Sequence, residues 1–149
     1  MTTASQEELF AEFKGNPPAD SAAIARCQAR LQFPLPSDYV QFLQRMNGGE
    51  GFIGQHYLVA WRIENLLDWN EGYRVEESAL GLLLFGSDGA GEAFAFDARA
   101  SPPPVVVVPF ILDLRDAVPL APNFASFLQF LYRSDSLFDA PYRKQQRAR

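Results

Sequence analysis

A glycine-rich segment between two apolar runs, at residues 82–97, constrains the fold of this chain most strongly. The run before the glycines, residues 82–85, is apolar at every position, as expected of a strand buried on both faces. After them, Phe94 and Phe96 alternate with alanines, which is typical of a strand packed on one side only. The connection contains three glycines within six residues and an Asp-Gly pair, which favours a tight turn. The segment therefore predicts a β-hairpin.

The same loop lacks the residues that a phosphate or metal cradle requires. A phosphate-binding loop carries Lys and Ser or Thr after its last glycine, whereas Gly91 is followed by Glu92. A dinucleotide-binding fingerprint continues into a helix, and the residues after this loop resemble a strand. A calcium loop needs oxygen ligands at alternating positions, and only Asp88 and Glu92 are available here. We interpret the loop as a connecting turn with two solvated carboxylates.

The length of 149 residues and a hydrophobic content of 48% fit one domain with its own core. We predict a single domain over residues 1–149, with its core at about residues 20–133. No apolar run is long enough to span a membrane, and the N-terminus has neither the basic start nor the apolar middle of a secretion signal. We expect a cytoplasmic protein that does not bind membranes.

The single cysteine, Cys27, and the single histidine, His56, limit the chemistry. An intramolecular disulfide or a thiolate zinc cluster needs more than one cysteine. Cys27 falls in a helical pattern, so we interpret it as a small buried apolar residue. A Cys–His relay would depend on these two residues alone, without a supporting motif. We expect no metal and no cofactor.

The net charge of −5 is unevenly distributed. Residues 143–149 hold four of the 13 basic groups and none of the 18 acidic groups, so residues 1–142 carry nine positive and eighteen negative charges, a net of −9. Such a body repels the phosphates of nucleic acid and favours a basic partner. On charge alone, solubility is the better-supported reason for the acidity. We expect no nucleic-acid partner and a disordered tail at residues 143–149.

The spacing of apolar residues predicts an α+β domain. We expect helices at residues 5–14, 20–32, 35–46, 63–70 and 124–132. Besides the two hairpin arms, we expect strands at residues 57–61 and 105–108, the second of them central in the sheet. Residues 50–54 are interpreted as a glycine-rich connection, and residues 110–118 are ambiguous between a loop and a short strand.

Motifs in this order resemble those of the SUKH superfamily. They are LPSDY at residues 35–39, NGGEG at 47–51, FGSDG at 85–89 and ASFLQFL at 125–131. The superfamily includes the domain of a fungal cell-wall assembly regulator and many bacterial proteins. The resemblance spans roughly residues 20–133, whereas residues 75–80 and the triple-proline loop at 102–104 match none of its motifs.

The resemblance implies a central, mainly antiparallel sheet of about 4–6 strands with helices packed around it. It also implies no catalytic residues, and it implies that most bacterial members are immunity proteins, each blocking a toxin that is often a nuclease or deaminase. We therefore expect a non-enzymatic immunity protein, monomeric or weakly dimeric, whose acidic surface occludes the active site of a basic toxin. One alternative is a housekeeping regulator or scaffold of the same fold. Another is a small hydrolase that uses Asp88, Glu92 or Asp97 as an acid–base pair.

Acidic residues would replace substrate phosphates in the toxin's active site, and aromatic residues would anchor the contact. The candidate partner-binding residues are Glu50, Trp61, Asp68, Trp69, Glu71, Glu76, Glu77, Asp88 and Glu92. Core packing is the favoured alternative for Trp61, and an ordinary solvated face is the alternative for the acids.

Overall fold

The computed structural model describes residues 3–139. Seven strands in this range form one antiparallel sheet, in which each strand pairs with the next along the chain. They are β1 (Glu12–Gly15), β2 (Gly49–Ile53), β3 (His56–Ala60), β4 (Leu82–Ser87), β5 (Glu92–Asp97), β6 (Val105–Pro109) and β7 (Val118–Ala121). The α+β class and the antiparallel sheet are confirmed, although the sheet is larger than the 4–6 strands expected. Strand β6 is second from the edge, not central.

Six α-helices accompany the sheet in the described range. They are α1 (Gln6–Leu9), α2 (Ser21–Ala29), α3 (Ser37–Arg45), α4 (Ile63–Gly72), α5 (Val75–Ser78) and α6 (Phe124–Arg133). Side chains cap several of them: Asp20 accepts from the Ala22 amide before α2, and Asn123 accepts from the Ser126 amide before α6. Short 3₁₀ turns lie at Leu114–Asp116 and Leu137–Asp139. No helix among residues 3–139 has the length and apolar character needed to cross a membrane.

Two predictions are wrong because the residues concerned form a pair of strands. They are the second half of the helix predicted at residues 5–14 and the connection predicted at residues 50–54. Helix α1 ends at Leu9, and the following residues form β1, which pairs with the glycine-rich β2. A Cβ on Gly49 or Gly51 would lie 2.4 Å from a carbonyl oxygen of β1. The glycines therefore permit the backbones of β1 and β2 to approach closely. In the sequence alone, the same glycines resemble those of a loop.

The sheet is covered on both faces over β4–β6. The main core lies between the sheet and helices α2, α3, α4 and α6, and it contains Phe94 and Phe96. The second core is smaller and lies on the opposite face. It consists of Val75, Ala79, Leu82, Leu84, Ala93, Ala95, Val106 and Val108. The prediction that β5 packs on one side only is therefore wrong, because its alanines lie beneath α5 and the segment after β6.

Three further expectations have simple outcomes. The hairpin of β4 and β5 is observed, with a register shift between Leu84 and Gly86. In the ambiguous stretch at residues 110–118, a 3₁₀ turn precedes a strand that starts only at Val118. Cys27 is buried, as expected. The basic tail at residues 143–149 lies outside the described residues.

Candidate protein-binding surface

One side chain of helix α4 makes the hydrogen bonds to β4 that a neighbouring strand would otherwise make. Strand β3 pairs with β4 only at Ser87 and Gly86, and the next part of the β4 edge is covered by α4. There the Asn70 side chain accepts from the Leu84 amide at 2.9 Å and donates to the Leu84 carbonyl at 2.9 Å. Because these groups are buried, the two hydrogen bonds fix how α4 lies on the sheet.

The start of α4 is also fixed from a distance. No side chain next to the helix caps it. Instead, Asn47, which follows α3, accepts from the Ile63 amide at 2.8 Å and donates to the Glu64 carboxylate at 2.6 Å. Asn47 is buried, and it belongs to the NGGEG segment. This motif therefore holds the first turn of α4 in place.

The outer side of α4 and α5 is acidic. Between residues 63 and 78, five acidic side chains are exposed and Arg74 is the one basic residue, so the net charge of this stretch is −4. Its carboxylates form the acidic ridge, which consists of Glu64, Asp68, Glu71, Glu76 and Glu77. Five of them within two short helices give this part of the surface a strongly negative potential.

The middle of the acidic ridge is unfavourable for helix α4, whereas Glu64, Glu76 and Glu77 lie in the first turns of their helices, where negative charge is favourable. Asp68 lies four residues after Glu64 and three before Glu71, and like charges at these spacings destabilise a helix by about 0.2–0.5 kcal/mol per pair. Arg74 offsets little, since its 3.9 Å contact with Glu77 joins two strongly exposed side chains. A surface that conflicts with helix stability is a candidate for function.

An aromatic cluster borders one flank of α4. Trp69 stacks on Trp61 with ring centroids 5.6 Å apart, and Tyr73 lies 5.9 Å from Trp69 and 6.3 Å from Trp61. Phe110 contacts Tyr73 at 4.7 Å. Trp61 is half-buried against both cores, so core packing explains it in part. Trp69 is 46% exposed, which presents a large ring held rigidly by its neighbours.

A groove borders the other flank of α4. It has a volume of about 870 Å³ and lies between the end of α2, helices α4 and α5, and the start of β4. Its apolar lining includes Leu67 and Leu80, and the Leu80 side chain is 69% exposed. Carboxylates of the acidic ridge stand beside this lining at Glu71, Glu76 and Glu77.

The structure brings together six of the nine candidate residues. Asp68 lies on the outer face of α4, between the two flanks, and the others lie on one flank or beside the groove. These six are Trp61, Asp68, Trp69, Glu71, Glu76 and Glu77. Glu50 lies elsewhere, on β2, where it accepts a 2.7 Å hydrogen bond from the Tyr57 hydroxyl. The hydrogen bond raises the pKa of Tyr57.

Asp88 and Glu92 lie at the tip of the β4–β5 hairpin, away from the acidic ridge. One carboxylate oxygen of Asp88 accepts from the amides of Ala90, Gly91 and Glu92 at 2.8–3.1 Å, so Asp88 holds its own turn together. Partial burial, and secondly the charge of Asp88, raise the pKa of Glu92. Glu92 alternates with Phe94 along β5, so it is directed toward the main-core face.

The geometry does not favour the acid–base pair of the hydrolase alternative. Neither Asp88 nor Glu92 lines the groove beside α4 or the larger one, of about 1050 Å³, between α1, α3 and α6. Asp97 forms a 2.7 Å ion pair with Arg99, whose hydrogen bonds lower the pKa of Asp97. Within residues 3–139, no three or more His, Cys, Asp and Glu side chains are grouped to hold a metal ion.

Several residues that shape this surface were missed at the level of sequence. Tyr73 follows Trp69 by four residues, so the spacing places both rings on one flank of α4 and was a usable signal. Phe110 and Leu80 come from segments without clear periodicity. Asn47 and Asn70 act through hydrogen bonds to backbone far away in sequence, which no local pattern reveals.

Comparison with known protein families gives a match over residues 18–129. The matching model is described as the SMI1 / KNR4 family (SUKH-1). The match covers most of the chain, including all of α4 and α5, and it confirms the resemblance noted from the motifs. No curated protein matches the chain.

Proposed function

Because the chain belongs to the SMI1/KNR4 family (SUKH-1), we propose that it is a non-enzymatic protein-binding module. Its role is that of an immunity protein, which acts in the cytoplasm as a monomer or weak homodimer and blocks a basic toxin. The acidic ridge and the aromatic cluster form the surface that contacts the toxin.

The observation that carries this proposal is the exposed ring of Trp69 next to the acidic ridge, in a stretch of net charge −4 at residues 63–78. Tryptophan is among the residues that contribute most to protein–protein binding, and a ring already stacked on two neighbours loses little freedom when a partner covers it. Unbalanced carboxylates beside such an anchor favour a partner with Lys and Arg.

The mechanism that fits this surface is occlusion. The active site of a nuclease or of a nucleic-acid deaminase is basic because it binds phosphates. Carboxylates of the acidic ridge would take the places of those phosphates, while Trp69 packs against the rim. Complementary charges accelerate association, so binding should weaken as salt screens them.

The test is co-expression with the toxin encoded beside this protein, using Trp69→Ala and Phe52→Ala as a matched pair. Phe52 is 48% exposed and lies on β2, so its replacement removes a similarly exposed ring from another face. We expect the wild type and Phe52→Ala to restore growth and Trp69→Ala to bind the toxin at least about tenfold more weakly. Growth arrest in the presence of the wild type would contradict the proposal.

A housekeeping regulator or scaffold is the second candidate function. The family match supports it as much as it supports an immunity protein, since the same fold and the same surface would serve a regulatory partner equally well. The two candidates differ in genomic neighbourhood and in phenotype. Absence of a toxin gene beside this one, together with a growth defect on deletion, would support the regulator.

A further inference from the structure

We infer that the groove between α2, α4 and α5 receives an amphipathic basic segment of the partner. The segment places apolar side chains on the groove lining and Lys or Arg side chains against the acidic ridge. This inference rests on the proposed function, and it names the part of the partner that the groove recognises.

The lining of the groove exposes apolar side chains. Leu80 exposes 69% of its surface, and Leu67 is half-buried beside it. Large apolar side chains in a concave surface of about 870 Å³ gain free energy when an apolar partner displaces water. This volume lies in the range of ligand-binding clefts, which is large enough for several side chains of a bound segment.

The charges along the groove are distributed asymmetrically. Helices α4 and α5 and the turn between them supply Glu71, Glu76, Glu77 and Arg74, a net charge of −2 on this wall, whereas the end of α2 supplies Arg30. Arg74 faces Glu77, which leaves two carboxylates for an occupant. Charge complementarity therefore directs the basic side of the segment toward α4 and α5. It also disfavours a second copy of this chain, whose residues 1–142 carry a net charge of −9.

The backbone between the two helices contributes to the same geometry. Arg74 has φ 55° and ψ 45°, a left-handed conformation that non-glycine residues adopt rarely. This turn separates α4 from α5, so Glu71 and Glu76 come from helices with different directions and still line one groove. A strained residue at this position is consistent with a binding role for the wall that it forms.

The test uses the full chain, labelled for NMR, and a synthetic peptide of about 16 residues with Leu at helical spacing on one face and Arg on the other. Two control peptides keep the length: one has the same composition in scrambled order, and one has Glu in place of Arg. We expect the amphipathic basic peptide to bind at least about tenfold more tightly than either control. The shifted amide signals should lie in α4, α5 and residues 79–83.

Matched variants locate the contact. Leu80→Ser should weaken peptide binding about fivefold, and Glu71→Gln and Glu76→Gln about threefold each. Ile111 is an apolar residue that is 92% exposed and does not line the groove, so Ile111→Ser should have no effect. The amide spectrum of each variant also shows that it is folded.

Equal affinity for the basic and scrambled peptides would overturn the inference, as would signal changes confined to another face. Self-association through this groove on concentrating the free protein would overturn it too. The proposed function is tested separately, because rescue of growth by the wild type is measured without any peptide and does not report where the toxin binds. Rescue that requires Trp69 but survives Leu80→Ser, with no peptide in the groove, would remove the inference and leave the function.

Discussion

The motif residues and the acidic ridge use their polar side chains in opposite ways. Asp38 of the LPSDY motif accepts from the amides of Tyr39 and Ala125, and Asn47 holds the start of α4. Asp88 holds the hairpin turn in the same manner. In contrast, Asp68 and Glu71 in the middle of the ridge are exposed like charges three residues apart, which repel one another. Glu64 at the start of the ridge has both roles, because Asn47 donates to its carboxylate. The motifs that identify the family thus build the scaffold, and the residues between them are the candidates for binding.

The same contrast separates the two sides of α4. Its inner side contributes Ile63 and Leu66 to the main core and Asn70 to the edge of β4. Its outer side carries Asp68, which has acidic neighbours on both sides. Substitutions on the inner side should therefore reduce folding stability, and substitutions on the outer side should change binding while stability is kept.

The largest effect is expected at Gly48, where a Cβ would lie 2.3 Å from the Ala60 carbonyl oxygen and φ is +71°. Gly48→Ala should reduce the free energy of unfolding by at least about 3 kcal/mol, because backbone strain and a clash add together. Gly72→Ala is the matched control, since apart from its chain neighbours and its own helix backbone no described atom lies within 4 Å of its Cβ position. It should raise stability by about 0.4–1 kcal/mol in urea unfolding. Equal effects at the two glycines would contradict the scaffold role of the motif.

Asn70→Leu should have the next largest effect. It leaves the buried amide and carbonyl of Leu84 without their partners, which should reduce the free energy of unfolding by about 2–4 kcal/mol. Asn65→Leu changes an exposed residue on the same helix and should alter stability by less than about 0.5 kcal/mol. Thermal or urea unfolding of the two variants measures the difference. A stable Asn70→Leu protein would show that this bond pair does not hold α4 in place.

Asp68→Lys should separate stability from binding. It replaces two like-charge neighbours by favourable pairs with Glu64 and Glu71, so stability at low salt should rise by about 0.5 kcal/mol. Affinity for a basic partner should fall at the same time, and both changes should shrink as salt is added. Stability and affinity that fall together would contradict the division between the two sides of α4.

The smallest effect is expected at Glu92. Burial and Asp88 raise its pKa in the folded protein, so the ionised form destabilises the fold at neutral pH. This penalty disappears as the pH falls through the folded pKa and then below the ordinary value of about 4.3, because the carboxyl is protonated in both states. Glu92→Gln should therefore stabilise the protein slightly at pH 7 and not at pH 3. A gain that is equal at both pH values would assign the effect to packing instead.

The fold could be predicted from sequence where its cause is local. Helices α3 and α6 carry apolar residues at i, i+3, i+4 and i+7, and both are observed. Strand β2 could not be predicted, because the reason for its glycines is the close backbone of β1. The second core was missed because Ala93 and Ala95 are covered only by residues from other elements.

The candidate site could be predicted only in part for the same reason. The acids of α4 and α5 stood out by composition, as did Trp69 on α4 and Trp61 just before it, and the two helices bring these residues together. In the sequence, Glu50, Asp88 and Glu92 could not be distinguished from the acids of α4 and α5 as candidates for binding. Only the hairpin register and the turn hydrogen bonds place Asp88 and Glu92 away from the ridge. The groove is formed by three separate segments, so no single stretch could reveal it.

The most direct test of the ridge as the binding surface is the hydrogen-exchange footprint of the toxin on this protein. We expect binding to slow amide exchange within residues 61–80, which contain the acidic ridge and the part of the aromatic cluster that lies on and next to α4. Exchange in β1 and β2 should be unchanged. Protection centred on β1 and β2 or on the hairpin tip, with no change in residues 61–80, would contradict the account.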